Sequence, residues 1–169
     1  MVKNMVRIAE LKDVERILEI IKDAKSFLKN LGVDQWQGDY PNKETILNDI
    51  NKNQLFVYEE EEVLGFIAII KGIEETYNII YDGKWLSDQE YITIHRIAVK
   101  EQAKKRNVGT KLFEYAIAYA KENNIRSVRV DTHKDNFAMQ ALINKEGFIK
   151  CGYIYLKDHS LRLAYEKLI

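Results

Sequence analysis

Apolar residues along the chain recur at spacings that alternate between those of strands and those of helices. Met5–Ala9 has the length of a short strand, and the helical spacing after it stops at Gly32, a residue typical of helix ends. The apolar positions of this first predicted helix are Val14, Ile17, Leu18, Ile21, Ala24, Leu28 and Leu31. A second helix is predicted over Asn42–Asn51.

The middle of the chain has the pattern of strands. Leu55–Tyr58 and Val63–Ile73 predict two paired strands, and the acidic segment Glu59–Glu62 between them is interpreted as a solvated hairpin rather than a carboxylate site. Tyr77–Ser87 is less regular and carries a turn signal. Tyr91–Val99 returns to the composition of a β-strand.

The second half of the chain alternates strand and helix patterns. A helix is marked by the apolar positions Gly109, Leu112, Phe113, Ala116, Ile117 and Ala120. Ser127–Thr132 predicts a strand, Asn136–Glu146 a helix, and Phe148–Leu156 and Leu161–Leu168 two closing strands. This alternation favours βαβ packing on a mixed sheet, so the predicted fold class is α/β with a central twisted sheet flanked by helices.

Composition narrows the classes of protein to which the chain can belong. The 169 residues are 46% hydrophobic and 31% charged, with no repeat or flexible linker, which predicts one domain over residues 1–169. Lys plus Arg and Asp plus Glu both number 26, so no global attraction to nucleic acid or to an anionic membrane is expected. The sole cysteine, Cys151, and the lack of a leader or long apolar span predict a cytoplasmic protein.

The most informative segment runs from Val99 to Phe113. An apolar strand leads into a cationic turn with no acidic residue after Glu101, and the turn opens into an amphipathic helix. Basic side chains cluster there: Lys104, Lys105, Arg106 and Lys111. Because main-chain N–H groups and the helix dipole attract anions at a helix start, the turn predicts a site for a phosphorylated ligand, although a solvated basic surface is the simpler alternative. An ATP-binding loop is excluded, because such a loop needs Lys followed by a hydroxyl residue, whereas Thr110 precedes Lys111 here.

Two motifs in sequential order strengthen this interpretation. The first comprises Ile97-Ala98-Val99 followed by Lys104-Lys105-Arg106-Asn107-Val108-Gly109, and the second comprises Asn136, Ala138, Leu142 and Gly147-Phe148. Together, over about Ile92–Tyr155, they resemble the motifs of the GNAT superfamily, the acyl-CoA-dependent N-acetyltransferases. The resemblance implies a GNAT-like fold.

The chain departs from the superfamily pattern at three positions. Lys104 replaces the usual Arg or Gln, and Asn107 stands where the first Gly is expected. Asn is the non-glycine residue most tolerant of a left-handed backbone, so the turn is expected to keep its shape. Ile143 occupies the position at which many members carry a tyrosine proposed to protonate the departing thiolate.

The resemblance implies transfer of an acetyl group from acetyl-CoA to a primary amine of a small molecule or peptide, by direct attack in a ternary complex and without a metal. The implied cofactor-binding residues are Ile97, Ala98 and Val99 for the pantetheine arm and the carbonyl; Lys104, Lys105, Arg106, Asn107, Val108, Gly109 and Thr110 for the pyrophosphate; and Asn136 and Met139 for the pantetheine arm. A catalytically weak acyl-CoA-binding sensor or interaction protein is the alternative, which Ile143 favours. A homodimer stays open, since dimers are frequent in the superfamily.

Catalytic and acceptor residues are less well specified. His95 is the candidate general base because it precedes Ile97–Val99 and histidine titrates near neutrality. A structural role is the commoner one for a strand histidine, and a water-relayed proton path would not need His95. Trp36 and Tyr40, between the first two predicted helices, are interpreted either as a wall of the amine pocket or as loop packing. Candidates for the opposite side of the pocket are Asp82, Trp85 and Tyr91.

Two other groups have simpler interpretations. Asp131, His133 and Asp135 are metal-ligand types, but Asp135 is placed to cap the following helix, so no metal is predicted. Cys151 is interpreted as a small packed residue rather than a nucleophile.

Overall fold

The computed structural model describes residues 5–169, in which seven strands and four α-helices are connected mainly by short loops. In chain order the elements are β1 (Val6–Ile8), α1 (Val14–Asn30), α2 (Lys43–Asn51), β2 (Leu55–Glu59), β3 (Val63–Lys71), β4 (Ile92–Val99), α3 (Val108–Glu122), β5 (Ser127–Thr132), α4 (Phe137–Lys145), β6 (Ile149–Tyr155) and β7 (Leu161–Leu168). The strands form one mixed sheet in the order β1-β2-β3-β4-β5-β7-β6. The predicted α/β class is confirmed.

The chain divides into two compact units. The first contains the described residues up to Ile69 together with His95–Tyr115, and the second contains Ile70–Ile94 together with Ala116–Ile169. One domain over residues 1–169 stays a prediction. None of the helices in residues 5–169 combines the length and the apolarity needed to cross a membrane.

The first unit is built on an antiparallel ladder. Val6 pairs with Tyr58 across β1 and β2, and Leu55 pairs with Ala68 across β2 and β3. The buried apolar cluster of this unit contains Ala9, Val14, Ile17, Ile20, Ile21, Ile46, Leu55, Val57, Val63, Phe66, Ala68 and Ala98. The amphipathic faces of α1 and the sheet therefore share one core, as their apolar spacing predicts.

The predicted apolar face of α1 needs two corrections. Ile20 is 1% exposed although it was not assigned to that face, and Leu31, which was, is 59% exposed. Leu31 follows the last helical residue as its C-cap, and Gly32 then turns the chain with φ +74°. The helix therefore ends before Leu31 can reach the core.

Asparagine side chains define the starts of two helices. Asn42 accepts a hydrogen bond from the Thr45 N–H at 3.0 Å, so α2 begins one residue after the predicted boundary. Asn136 accepts from the Met139 N–H at 3.2 Å and begins α4 in the same way. Both are N-caps, a role that suits the short side-chain oxygen of Asn. The expected cap of α4 at Asp135 is therefore wrong, since Asn136 takes that position.

The second unit joins parallel and antiparallel pairs. Ile92 of β4 lies opposite Val128 of the parallel strand β5, and β7 pairs antiparallel with both β5 and β6. Tyr81 and Tyr153 exchange main-chain hydrogen bonds of 2.8 and 2.9 Å, so the irregular segment before β4 runs along β6. Gly152 permits this approach, because a Cβ there would lie 2.4 Å from the Tyr81 carbonyl oxygen.

An ion-pair cluster stabilises the N-terminal strand of the first unit. The guanidinium of Arg7 donates to both Asp13 carboxylate oxygens at 2.9 Å and to Glu59 at 3.0 and 3.1 Å. Burial disfavours ionisation of Asp13, but hydrogen bonds from Arg7 and from the Glu10 N–H outweigh it and hold the pKa of Asp13 below its usual value. The charged form of Asp13 therefore stabilises the fold.

We expect Asp13→Asn to lower the free energy of unfolding by about 1 to 3 kcal/mol at pH 7, since charge-assisted hydrogen bonds are lost. Because the folded-state pKa of Asp13 is depressed, its stabilisation is full above about pH 5 and fades as pH falls below about 4. Urea denaturation of both proteins from pH 3 to 7 measures this. A stability difference that stays constant across that range would contradict the assignment.

Candidate active site

The strand that leads to the cationic turn changes its backbone conformation at Arg96. Arg96 has φ +36°, a value uncommon for a residue with a side chain, and Ile97–Val99 follow it. The Lys100 N–H donates to the Leu64 carbonyl at 2.7 Å, so the end of β4 stays tied to β3. Beside it, a Cβ on Gly65 would lie 3.1 Å from the Ala98 carbonyl oxygen, and the absence of a side chain allows this close packing.

The turn itself consists of a short 3-10 helix, one left-handed residue and the start of α3. The 3-10 helix spans Glu101–Arg106, and Asn107 follows with φ +60° and ψ +25°. The expected left-handed Asn107 is thereby confirmed. Its carbonyl accepts the first helical hydrogen bond, from the Lys111 N–H at 3.0 Å. The N–H groups of Val108 and Gly109 precede that bond, so the helix provides no acceptor for them.

The basic side chains of the turn are largely paired within the protein. Lys104 Nζ lies 2.8 Å from a Glu101 carboxylate oxygen and 3.3 Å from the centre of the Phe27 ring. Arg106 forms an ion pair with Glu60. Lys111 Nζ donates to the Tyr58 hydroxyl at 3.2 Å. Lys105 is exposed, and among the described residues it has neither the ion pair of Lys104 or Arg106 nor the hydrogen bond of Lys111.

The predicted hairpin connection between β2 and β3 is confirmed, and its carboxylates also pair with basic side chains. Besides the Glu60–Arg106 pair, Glu62 lies 2.6 Å from Lys100 Nζ and 3.4 Å from Arg16. The hydrogen bond from Lys100 holds the pKa of Glu62 below its usual value. Part of the cationic charge near the turn is therefore neutralised by this hairpin.

His95 and the first pair of predicted acceptor residues also lie in the first unit. His95 is half-buried and immediately precedes Arg96. Tyr40 is 49% exposed, and its hydroxyl accepts a hydrogen bond from Arg96 at 2.9 Å. Trp36 packs partly buried against the core cluster of this unit, as the loop-packing interpretation expects.

Arg96 and its partner Asp49 were not identified from the sequence. Arg96 Nε and Nη2 each donate to a different Asp49 carboxylate oxygen at 2.7 Å. Nothing in the local sequence signals the left-handed conformation, because Arg has none of the short side-chain hydrogen bonding that lets Asn or Asp adopt it. Only the fold brings the two residues together.

Trp85 and Tyr91, the candidates for the opposite side, belong to a packed cluster of the second unit. The guanidinium carbon of Arg129 lies 4.1 Å from the ring centres of both. Trp85 Nε1 donates to the Tyr77 carbonyl at 2.8 Å, and the Tyr91 hydroxyl accepts from the Glu74 N–H at 2.8 Å. Their polar atoms therefore already bind protein groups.

A buried carboxylate secures the same region of the second unit. Glu166 is fully buried and accepts hydrogen bonds from the Leu86 N–H at 2.8 Å, the Ser87 hydroxyl at 2.8 Å and the Ser127 hydroxyl at 2.5 Å. Arg129 Nε lies 3.5 Å from it. These bonds compensate the cost of burying the charges and fix the segment before β4 onto β5 and β7.

The second motif places its residues at the start and in the middle of α4. Asn136 is 8% exposed and uses its side-chain oxygen as the N-cap, while Met139 is half-buried. Ile143 is fully buried in apolar packing. The position at which many superfamily members carry a tyrosine therefore holds an aliphatic core residue here.

Local contacts also occur at the residues to which no metal-binding or nucleophilic role was assigned, which are Asp131, His133, Asp135 and Cys151. Asp131 accepts from the Tyr77 hydroxyl at 2.6 Å, and His133 Nδ1 accepts from the Asp135 N–H at 3.0 Å. No group of three or more potential ligand side chains able to hold a metal occurs within residues 5–169. Cys151 is buried, and burial raises the pKa of its thiol, which disfavours the nucleophilic thiolate.

The mixed sheet, with a left-handed turn between the end of a strand and the start of a helix, places the chain in the class of α/β proteins. The profile of the Acetyltransferase (GNAT) family matches residues 14–148. The chain therefore belongs to the GNAT acetyltransferase family.

Individual proteins show the same relationship. A GNAT-family acetyltransferase from Streptococcus agalactiae 2603 is 35% identical, with a TM-score of 0.90 and coverage of 97% of this chain and 94% of that one. The uncharacterized N-acetyltransferase YesJ of Bacillus subtilis is 22% identical over 144 residues, 83% of this chain and 78% of YesJ. A GNAT-family acetyltransferase from Listeria monocytogenes 4b F2365, at 20% identity, shares the fold with a TM-score of 0.74 over 97% of this chain and 94% of that one.

Proposed function

We propose that the protein transfers the acetyl group of acetyl-CoA to a primary amine of a small molecule or peptide, in a cytoplasmic setting. The observation that carries the proposal is the left-handed Asn107, which turns the chain from the end of β4 into the start of α3. Family membership supports acetyl transfer. The geometry of the turn supports a donor that carries a diphosphate.

The main chain of the turn suits a diphosphate better than its side chains do. The N–H groups of Val108 and Gly109 lie at the positive end of the α3 dipole, and Asn107 is exposed beside them. Lys105 adds an exposed positive charge. Thr110 completes the proposed pyrophosphate site, with Lys104 and Arg106 contributing once their acidic partners are displaced.

The break in β4 suits the acyl end of the donor. Because Arg96 has a positive φ within the strand, we expect the peptide groups of Ile97–Val99 to be oriented differently from those of the residues before it. We propose that these groups bind the pantetheine arm and donate to the thioester oxygen as negative charge develops on it. Contacts of Asn136 and Met139 with the pantetheine arm stay predictions.

The proposed chemistry is a direct displacement. The amine nitrogen forms a bond to the carbonyl carbon, the C–S bond breaks, and CoA leaves as its thiolate. One proton must leave the amine, and we propose His95 as the base, with a water relay as the alternative. Because Ile143 occupies the usual tyrosine position, the thiolate is protonated either by water or by the proton that the amine releases.

A second function is favoured by one observation. Ile143 is fully buried, so α4 offers no acid there for the leaving thiolate. An acyl-CoA-binding sensor that lacks efficient turnover needs no such acid. Titration with acetyl-CoA, followed by a thiol-release screen against polyamines, amino acids, aminoglycosides and peptide N-termini, separates the two functions. Binding without turnover on any acceptor supports the sensor.

Asn107→Asp is expected to weaken acetyl-CoA binding by about tenfold or more, because it places a negative charge next to the diphosphate. Asp tolerates the left-handed backbone and is favourable at a helix start, so the melting temperature should not fall. Isothermal titration calorimetry and thermal denaturation measure the two quantities.

Asn107→Gly is the matched control for that variant. Glycine adopts the same backbone without adding charge, so the affinity for acetyl-CoA should be equal to or higher than that of the original chain. Equal affinities of the Asp and Gly variants for acetyl-CoA would place the diphosphate elsewhere.

We expect Glu60→Gln to tighten acetyl-CoA binding by about two- to fivefold, the size of an exposed ion pair, because Arg106 is released from its internal partner. Glu61→Gln makes the same change of net charge at the exposed neighbouring position and should have a smaller effect. If calorimetry finds the same gain for both, general electrostatics rather than release of Arg106 is responsible.

His95→Gln tests the proposed base. If His95 removes the amine proton, kcat should fall by about 100-fold or more, and the loss of activity on the acid side of neutrality should disappear from the pH profile. Acetyl-CoA affinity should stay within about twofold of the original, which calorimetry checks. An unchanged rate and profile would remove His95 from the mechanism in favour of the water relay.

A further inference from the structure

The side chain of Arg96 connects three segments of the first unit. From β4 it donates two hydrogen bonds of 2.7 Å to Asp49 of α2 and one of 2.9 Å to the hydroxyl of Tyr40 in the loop between α1 and α2. Asp49 is 1% exposed and also accepts from Gln54 at 2.9 Å. The carboxylate is therefore held from two sides, and it orients the guanidinium.

The charge of this pair is well compensated. Burial alone would lower the pKa of Arg96, but the hydrogen bonds to Asp49 and the proximity of Tyr40 raise it above its usual value. The two parallel N–H···O bonds are the bidentate arrangement that arginine forms and lysine cannot. The pair is thus directional as well as electrostatic.

The backbone of Arg96 needs such a constraint. Its φ of +36° lies in a region that residues with a long side chain rarely occupy, and such conformations persist where the surroundings determine them. Arg96 stands between His95 and Ile97–Val99. The conformation of this one residue therefore sets the direction of the peptide groups that follow.

We propose that Arg96 and Asp49 are positioning residues, which hold the break in β4 so that the peptide groups of Ile97–Val99 are oriented toward the thioester. The bond from Arg96 to Tyr40 links this orientation to the loop between α1 and α2, which is the proposed wall of the amine pocket and is called the acceptor loop below. This inference rests on the proposed acetyl transfer. It assigns to a buried ion pair the role of orienting main-chain donors before the donor binds.

Steady-state kinetics of Asp49→Asn and Arg96→Lys provide the first test. Both variants keep the size of the side chain but lose the bidentate charged pair, and the lysine variant stands in if the asparagine variant does not fold. We expect kcat to fall at least tenfold while the Kd for acetyl-CoA changes less than threefold, because the diphosphate turn is untouched. A folded variant with kcat within twofold of the original overturns the proposal.

A second pair of variants separates backbone conformation from charge. Arg96→Ala and Arg96→Gly both remove the guanidinium, but only glycine adopts a positive φ without strain. We expect the glycine variant to retain at least threefold more kcat than the alanine variant. Equal activities would show that the guanidinium acts in another way and would overturn the positioning role.

Tyr40→Phe tests the link to the acceptor loop. Removal of the hydroxyl should raise the KM for the acceptor severalfold and leave the Kd for acetyl-CoA unchanged. Tyr155→Phe, an exposed tyrosine of β6, is the matched control. An unchanged acceptor KM in the Tyr40 variant would remove the link from the proposal.

Hydrogen exchange of the free protein tests the positioning role separately from the proposed acetyl transfer. The amides of Ile97–Val99 should exchange at least tenfold faster in Asp49→Asn or Arg96→Lys than in the original chain, while those of β5 do not change. If the original chain does not bind acetyl-CoA, the proposed function fails, and this measurement still decides whether the pair holds the break. Unchanged exchange rates at Ile97–Val99 would overturn the proposed positioning role of Arg96 and Asp49.

Discussion

The left-handed backbone at two residues with side chains, Arg96 and Asn107, is the constraint on which the candidate site depends. Such conformations cost free energy, and each is compensated differently. Asn107 tolerates it intrinsically and supplies the acceptor of the first α3 hydrogen bond. Arg96 is held by a long-range pair with Asp49. Between them the chain changes from the strand β4 to the helix α3.

In the proposed diphosphate site, main-chain groups rather than side-chain charges would give the turn its preference for an anion. Two of its cations, Lys104 and Arg106, already pair with Glu101 and Glu60. These acidic residues keep the basic turn locally balanced in a chain whose formal net charge is zero. A phosphorylated ligand at the proposed site would have to compete with these acidic residues for Lys104 and Arg106, whereas the dipole of α3 favours an anion without such competition.

Buried polar networks give each unit its own internal order. In the second unit, Glu166 and Arg129 hold an irregular segment against the sheet, and Trp85 and Tyr91 stack on the guanidinium. The structure shows these two aromatic residues as parts of a packed core, and their contact with the acceptor is only a prediction. In the first unit, by contrast, Tyr40 is half exposed and bonded to Arg96. The acceptor side is thus better supported in the first unit.

The sequence by itself determined the order and type of the elements and the left-handed tolerance of Asn107, because these depend on neighbours within a few residues. The motifs also pointed to the family. Only the tertiary structure decided the conformation of Arg96 and its pairing with Asp49, 47 residues away along the chain. Such long-range pairs depend on how elements pack, which local spacing does not encode.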